Sequence, residues 1–242
     1  MTETGKSVIE KVVLFVVDNA FGETPISKGQ YQALDQLALR GQSGFVSTFT
    51  DSKDTVAQLI GAHYYSPENL SQELGPMKLA VFTDKSTYNG FGDVRSITGK
   101  SSKEIFDLIQ VDFDSHGVIV VELNNLNILN EIVNLLLPLI DSTNHAICTI
   151  CGYGPGSVIP KFQAPPVVDP SWKIIGPDAV ETLSVDHPML FISASQQLTR
   201  VDKVSFFSER EIEEHNGMGV LPICQLFREF SYYTGSTWKY GA

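Results

Sequence analysis

The chain has 242 residues, 43% hydrophobic and 19% charged, enough to bury one sizeable core and too apolar for a disordered polymer. Twenty-eight acidic against 17 basic residues give a formal net charge of -11, and no Lys/Arg cluster offsets it, which excludes a nucleic-acid or anionic-membrane surface. Three cysteines (Cys148, Cys151, Cys224) make no disulfide framework, so the expected address is the reducing cytoplasm.

The first ten residues are polar, and the apolar run that follows ends at Asp18, so neither a secretory leader nor a membrane span is expected. Residues 12–17 are continuously apolar and rich in β-branched types, the pattern of a central strand buried on both faces, with Asp18 at its carboxyl end. Tyr31, Leu34, Leu37 and Ala38 recur at helical spacing, which predicts a helix over 28–40 stopped by Gly41. A strand over 44–49 follows. Capping side chains within 51–54 then open a helix over 55–64. A strand over 77–82 leads to a helix over 101–109, opened by Ser101 or Ser102 with Glu104 nearby.

The same alternation continues with a strand over 117–122, a helix over 125–140 and a strand over 145–150. A Gly/Pro-rich loop is expected over 152–170, a strand over 189–193, and helices over 208–215 and 220–232, the first with a Ser208/Glu211 capping box. Strands alternating with helices predict an α/β fold: a three-layer sandwich with a mainly parallel central sheet, in a single domain over 1–242.

Several motifs dissolve on inspection. Gly5-Lys6-Ser7 precedes the first strand, whereas a phosphate loop must lie between a strand and a helix. Cys148 and Cys151 have redox spacing, but on a strand they point to opposite faces and read as buried structural cysteines. His63, His116, His145, His187 and His215 are scattered without metal-ligand spacing, and no Gly-x-Ser-x-Gly elbow is present. The glycine-rich 152–156 loop reads first as a flexible turn, and otherwise as a ligand-approaching loop at the sheet's carboxyl edge. Asp18 is open between two readings, a ligand for a metal or substrate hydroxyl and an Asp that initiates the next turn.

Taken together, several stretches resemble the alkaline phosphatase superfamily, and within it the archaeal-type branch of the cofactor-independent phosphoglycerate mutases. The strand ending in Asp18 is similar to the family's opening strand and its metal-binding Asp. Thr24-Pro25 and the 34–41 stretch, Asp54-Thr55 with Tyr64-Tyr65-Ser66-Pro67, and Met77-Lys78-Leu79-Ala80 with Tyr88-Asn89-Gly90 follow in the family's order. The 184–192 stretch around Asp186-His187-Pro188 and the closing Phe207-Ser208-Glu209, Gly217-Met218-Gly219 and Leu221-Pro222-Ile223 complete the series. The resemblance implies an alkaline phosphatase-like fold, and two metal ions serving a serine nucleophile in the active enzymes.

The departures from that pattern fall on the metal ligands. The family's Asp-x-x-Gly-His falls near Asn124-Asn125-Leu126-Asn127, its Asp-His pair on Cys151-Gly152, its last metal histidine near Leu183, and its nucleophile on Ser52 or Lys53. Asp18 alone survives as a candidate ligand, and one carboxylate does not hold a two-metal site. The chain thus resembles a degenerate and shortened member lacking most of the inserted substrate domain. The expectation is a non-catalytic binding or scaffold subunit with no cofactor and a protein partner. Phe227 and Phe230 are expected to pack on the sheet, leaving Trp238 and Tyr240 as partner-binding candidates. The alternative is a divergent metal-dependent phosphoryl-transfer enzyme using Asp18, Ser52, Asp54 and Thr55. A third reading is a small-molecule or nucleotide binder using the 152–156 loop.

Overall fold

A computed structural model describes residues 9–49, 54–62, 78–85, 88, 90–155, 183–198 and 200–235. Its strands are β1 (Lys11–Phe21), β2 (Gln42–Phe49), β3 (Leu79–Phe82), β4 (Asp93–Arg95), β5 (Val118–Leu123), β6 (His145–Tyr153), β7 (Leu183–Ala194) and β8 (Val220–Pro222). The helices are α1 (Gln32–Arg40), α2 (Thr55–Ile60), α3 (Ser102–Phe113), α4 (Leu126–Ser142), α5 (Glu209–His215) and α6 (Ile223–Tyr233).

All eight strands join one sheet in the order β4-β3-β5-β1-β6-β7-β2-β8. β1 pairs in parallel with both β5 and β6, whereas β7 runs antiparallel to both of its neighbours, β6 and β2. The predicted three-layer, mainly parallel α/β sandwich is therefore what the chain forms. Alternation along β1 explains the layers. Val13, Phe15 and Val17 pack with α1, α3, α4 and α5 on one face, and Val12, Leu14 and Val16 pack with α2 and α6 on the other. Cys148 and Cys151 are both fully buried and divide between the two faces. Phe227 and Phe230 are buried against the sheet, as expected. No helix among the described residues is long and apolar enough to cross a membrane.

The local chemistry accounts for the helix starts. Ser101 and Glu104 form a reciprocal capping box on α3, Asp54 accepts from the Ala57 amide at 3.0 Å on α2, and Ser208 caps α5. α1 begins four residues later than expected, after a turn in which the Gln30 amide donates to the Ser27 carbonyl and Gly29 takes a positive φ, and Tyr31 supplies no side-chain cap. Its cap comes from across the layer, where Asn130 Oδ1 on α4 accepts from the Ala33 and Leu34 amides at 3.0 and 3.3 Å. Asn130→Ala is expected to lower stability by about 1 kcal/mol, read as a shifted urea midpoint at unchanged slope.

Further sequence expectations are corrected, and one strand is new. The predicted 220–232 helix divides into edge strand β8 and helix α6, because Val220–Pro222 pairs alongside Phe45–Ser47 and Pro222 stands at the helix boundary. Gly152 and Tyr153 belong to β6 and not to a loop, and residues 156–170 of that predicted loop lie outside the described residues. β4 has only three residues, too few to show a period, and was not anticipated.

Candidate functional site

The site lies at the carboxyl edge of the parallel strands, where open α/β sheets bind ligands. Val12, Leu14 and Val16 of β1, Val118 and Val120 of β5, and Leu79 and Val81 of β3 share the α2 face. Carrying each alternation one step further brings Asp18, Glu122 and Thr83 to that same face. Asp18 is not simply the end of its strand. β1 continues to Phe21, and its pairing with β6 shifts register between Val17 and Phe21, so Asp18 sits at an irregularity where the ladder loosens.

Across this edge runs a polar chain. Thr83 Oγ1 donates to Glu122 and accepts the Lys85 amide at 3.1 Å. The Lys85 ammonium donates to the other Glu122 oxygen and lies 3.7 Å from Asp54 Oδ2. The buried Tyr88 hydroxyl donates to Asp54 Oδ1, the oxygen that also caps α2. The Thr55 hydroxyl donates to Asp18, whose Oδ1 is buried with no hydrogen-bond partner. Burial pushes the Asp18 carboxyl above its ordinary range. Thr55 and Lys85 pull it down, whereas Glu122 and Asp54 push it further up. Burial works against the Lys85 ammonium, but Glu122, Asp54 and Asp18 outweigh it, and its pKa is raised. Glu122 and Asp54 thus lie against one ammonium, and Asp18 acts on it from further off.

Of the residues singled out by sequence, the fold brings Asp18 and Thr55 into direct contact and joins Asp54 to them through Lys85. Ser52, His63, Trp238 and Tyr240 lie outside the described residues. His116 is at the opposite edge, ahead of β5, with Nε2 2.9 Å from Asp93 and Nδ1 2.9 Å from the Ser115 hydroxyl. His145 opens β6 at that same amino edge, and His215 is on α5 beside Glu211. Nothing is described of the His187 side chain.

Sequence reasoning missed Glu122, Lys85 and Thr83, and quoted Tyr88 only within a resemblance. A signal did exist for Glu122, the one charged residue in the otherwise apolar run 118–123.

The described residues do not fit the metal pair that the family resemblance implies. Among the described residues no group of three His, Cys, Asp or Glu side chains could hold a metal ion. Where the resemblance expects an Asp-His pair, Cys151 is buried, and a Cβ on Gly152 would stand 2.2 Å from the Asp18 carbonyl oxygen. Near the Asp-x-x-Gly-His position, Asn125 caps α4 through the Ile128 amide at 2.9 Å, and Leu126 is core. These positions are committed to packing and capping.

No protein-family model matches the chain, and no curated protein matches it. Among solved structures it is similar to the PH0037 protein of Pyrococcus horikoshii, with 11% identity over 97% of this chain and 99% of that one, at a TM-score of 0.61. It is also similar to a cofactor-independent phosphoglycerate mutase of Thermoplasma acidophilum, with 9% identity over 93% of this chain and 100% of that one, at a TM-score of 0.49. At 11% identity, the likeness to the Pyrococcus protein establishes a shared fold, the mainly parallel α/β sandwich.

Proposed function

We propose that this chain is a non-catalytic relative of the alkaline phosphatase and phosphoglycerate mutase-like enzymes, serving in the cytoplasm as a single-domain binding or scaffold subunit for a protein partner. The observation that carries the reading is the contact at Gly152. The family's strand-ending histidine would stand there, and the Asp18 backbone leaves no room for any side chain. Charge stabilisation by metal ions supplies most of the catalysis in phosphoryl transfer, so closing this position to its ligand weighs against the reaction.

The test is metal content together with turnover. Protein purified with manganese, zinc and magnesium supplied is expected to hold no stoichiometric metal by elemental analysis and to release no phosphate from a panel of phosphomonoesters. Stoichiometric metal that disappears in Asp18→Ala would overturn the reading. One observation favours a second reading, a divergent phosphoryl-transfer enzyme: the buried, unpartnered Asp18 Oδ1 beside the Thr55 hydroxyl leaves an acceptor for a ligand's donor. Metal-dependent turnover lost in Thr55→Val as well as Asp18→Ala would support that alternative.

A further inference from the structure

The chain carries two Asn-Gly pairs, Asn89-Gly90 and Asn216-Gly217. An asparagine before glycine is chemically labile, because glycine puts no side chain in the way of its own amide nitrogen. At the second pair, the Gly217 nitrogen loses its proton and attacks Asn216 Cγ. The N–Cγ bond forms, the Cγ–Nδ2 bond breaks, and ammonia leaves with a proton. Water then opens the five-membered imide at either carbonyl, leaving aspartate or isoaspartate at 216, with no oxidant or reductant involved.

The fold opposes each part of this reaction. Asn216 closes α5, where Nδ2 donates to the Ile212 and Glu213 carbonyls at 2.8 and 3.2 Å and Oδ1 accepts the Gly219 amide at 3.0 Å. At ψ 153° the Gly217 nitrogen stands about a quarter turn away from Cβ, so the ring closes only if the backbone turns. The proton that must leave is donated to Asp202 Oδ2 at 3.1 Å. That carboxylate is 5% exposed, and a second negative charge developing on the nitrogen beside it is repelled. Arg200 clamps the two residues together, donating to the Gly217 carbonyl and, from Nε, to Asp202 Oδ1 at 3.0 Å.

We propose that Asn216-Gly217 is a latent deamidation site held closed by the Asp202 carboxylate and the backbone angle at the end of α5, and that its conversion unfastens edge strand β8. Isoaspartate adds a methylene to the main chain directly ahead of Met218 and Gly219. The Met218 amide donates to the Ser43 carbonyl at 3.2 Å, and the Gly219 carbonyl accepts the Phe45 amide at 2.8 Å, the two bonds that lead the chain into β8. A carboxylate at 216 also loses both donors to the α5 carbonyls and sets a negative charge at that helix's carboxyl end.

The experiment incubates the native protein at neutral pH and physiological temperature and quantifies aspartate and isoaspartate at 216 by peptide mass spectrometry. The same chain unfolded in urea supplies the unprotected rate, with Asn89-Gly90 as a reference pair in the same molecule. Position 216 is expected to convert at least about tenfold more slowly folded than unfolded, a comparison that needs no variant. Asp202→Asn keeps the shape of the side chain without its charge, and is expected to speed conversion in the folded protein about tenfold. Gly92→Ala crowds the Leu79 carbonyl at the opposite edge of the sheet, and is expected to leave the rate at 216 unchanged. In the converted fraction, separated by its added charge, the Phe45 amide is expected to lose hydrogen-exchange protection. Equal rates folded and unfolded would overturn the inference, as would no acceleration in Asp202→Asn or an equal one in Gly92→Ala. Unchanged Phe45 protection would overturn the link to β8.

Discussion

A single methyl group added at position 152 is expected to remove about 3 kcal/mol of stability, at the upper end of ordinary overpacking effects. In Gly152→Ala the new Cβ would stand 2.2 Å from the Asp18 carbonyl oxygen, 3.0 Å from the Asp18 carbonyl carbon and 3.0 Å from Met189 Cε. Two of those three atoms are backbone of the central strand β1, so no flexible side chain can swing away to relieve the contact. The ladder between β1 and β6 must open instead. For a chain of this size the melting temperature should fall by roughly 6–12 °C. Gly22→Ala is the matched control, since a Cβ there meets nothing within 4 Å, and its effect should stay within about 0.5 kcal/mol. Calorimetry on both variants decides it: equal melting temperatures would show that β1 and β6 are less tightly apposed than 2.2 Å implies, and would reopen room for a side chain at 152.

Asp202→Ala should cost a similar amount, about 3 kcal/mol, for an electrostatic reason. The Asp202 side chain is only 5% exposed, and it accepts from the Ser43 amide at 2.7 Å, the Gly217 amide at 3.1 Å and Arg200 Nε at 3.0 Å. It therefore fastens the start of β2 to the segment ahead of β8, and alanine leaves the donors unpaired. Burial alone would raise its pKa, but the Ser43 amide, Arg200 and the Gly217 amide overcome burial and hold it below the ordinary 3.8. A depressed carboxyl contributes stability that is fully present above the unfolded value and is lost as the pH falls through the folded one. The gap between native protein and Asp202→Asn should accordingly be constant at neutral pH and narrow below about pH 4. Urea titrations at several pH values measure it, and a gap that widened in acid would contradict the assignment.

Most of the fold was legible because its strands are buried on both faces. Residues 12–17 are a continuous apolar run and 145–150 is apolar apart from His145 and Thr149, and a short run of that kind between turn signals has few other readings. Pro222 is instructive in the opposite direction. The apolar spacing of Val220, Ile223, Phe227 and Phe230 suits one helix, yet the proline marks where the edge strand ends and the helix begins. The site was legible only where a residue broke a pattern. Asp18 did so at the end of the first apolar run and Asp54 did so among the capping side chains of 51–54, whereas Thr55 came only with the family resemblance. Lys85 lies 37 residues from Glu122 and Tyr88 34 residues from Asp54. Their meeting depends on β3, β5 and β1 lying side by side, an order that no local periodicity encodes.

The reversed strand β7 has a consequence for how the chain is made. β2 touches the sheet only through β7, and β8 only through β2, so residues 42–49 have no neighbour to pair with until residues 183–194 have been synthesised. The five strands from β4 to β6 can close a parallel sheet while the chain is still emerging, with an early strand left waiting beside it. Long-range pairing of this kind is slow, and an unpaired strand is open to pairing with other chains. During synthesis, β2 therefore waits for β7 as an unpaired strand.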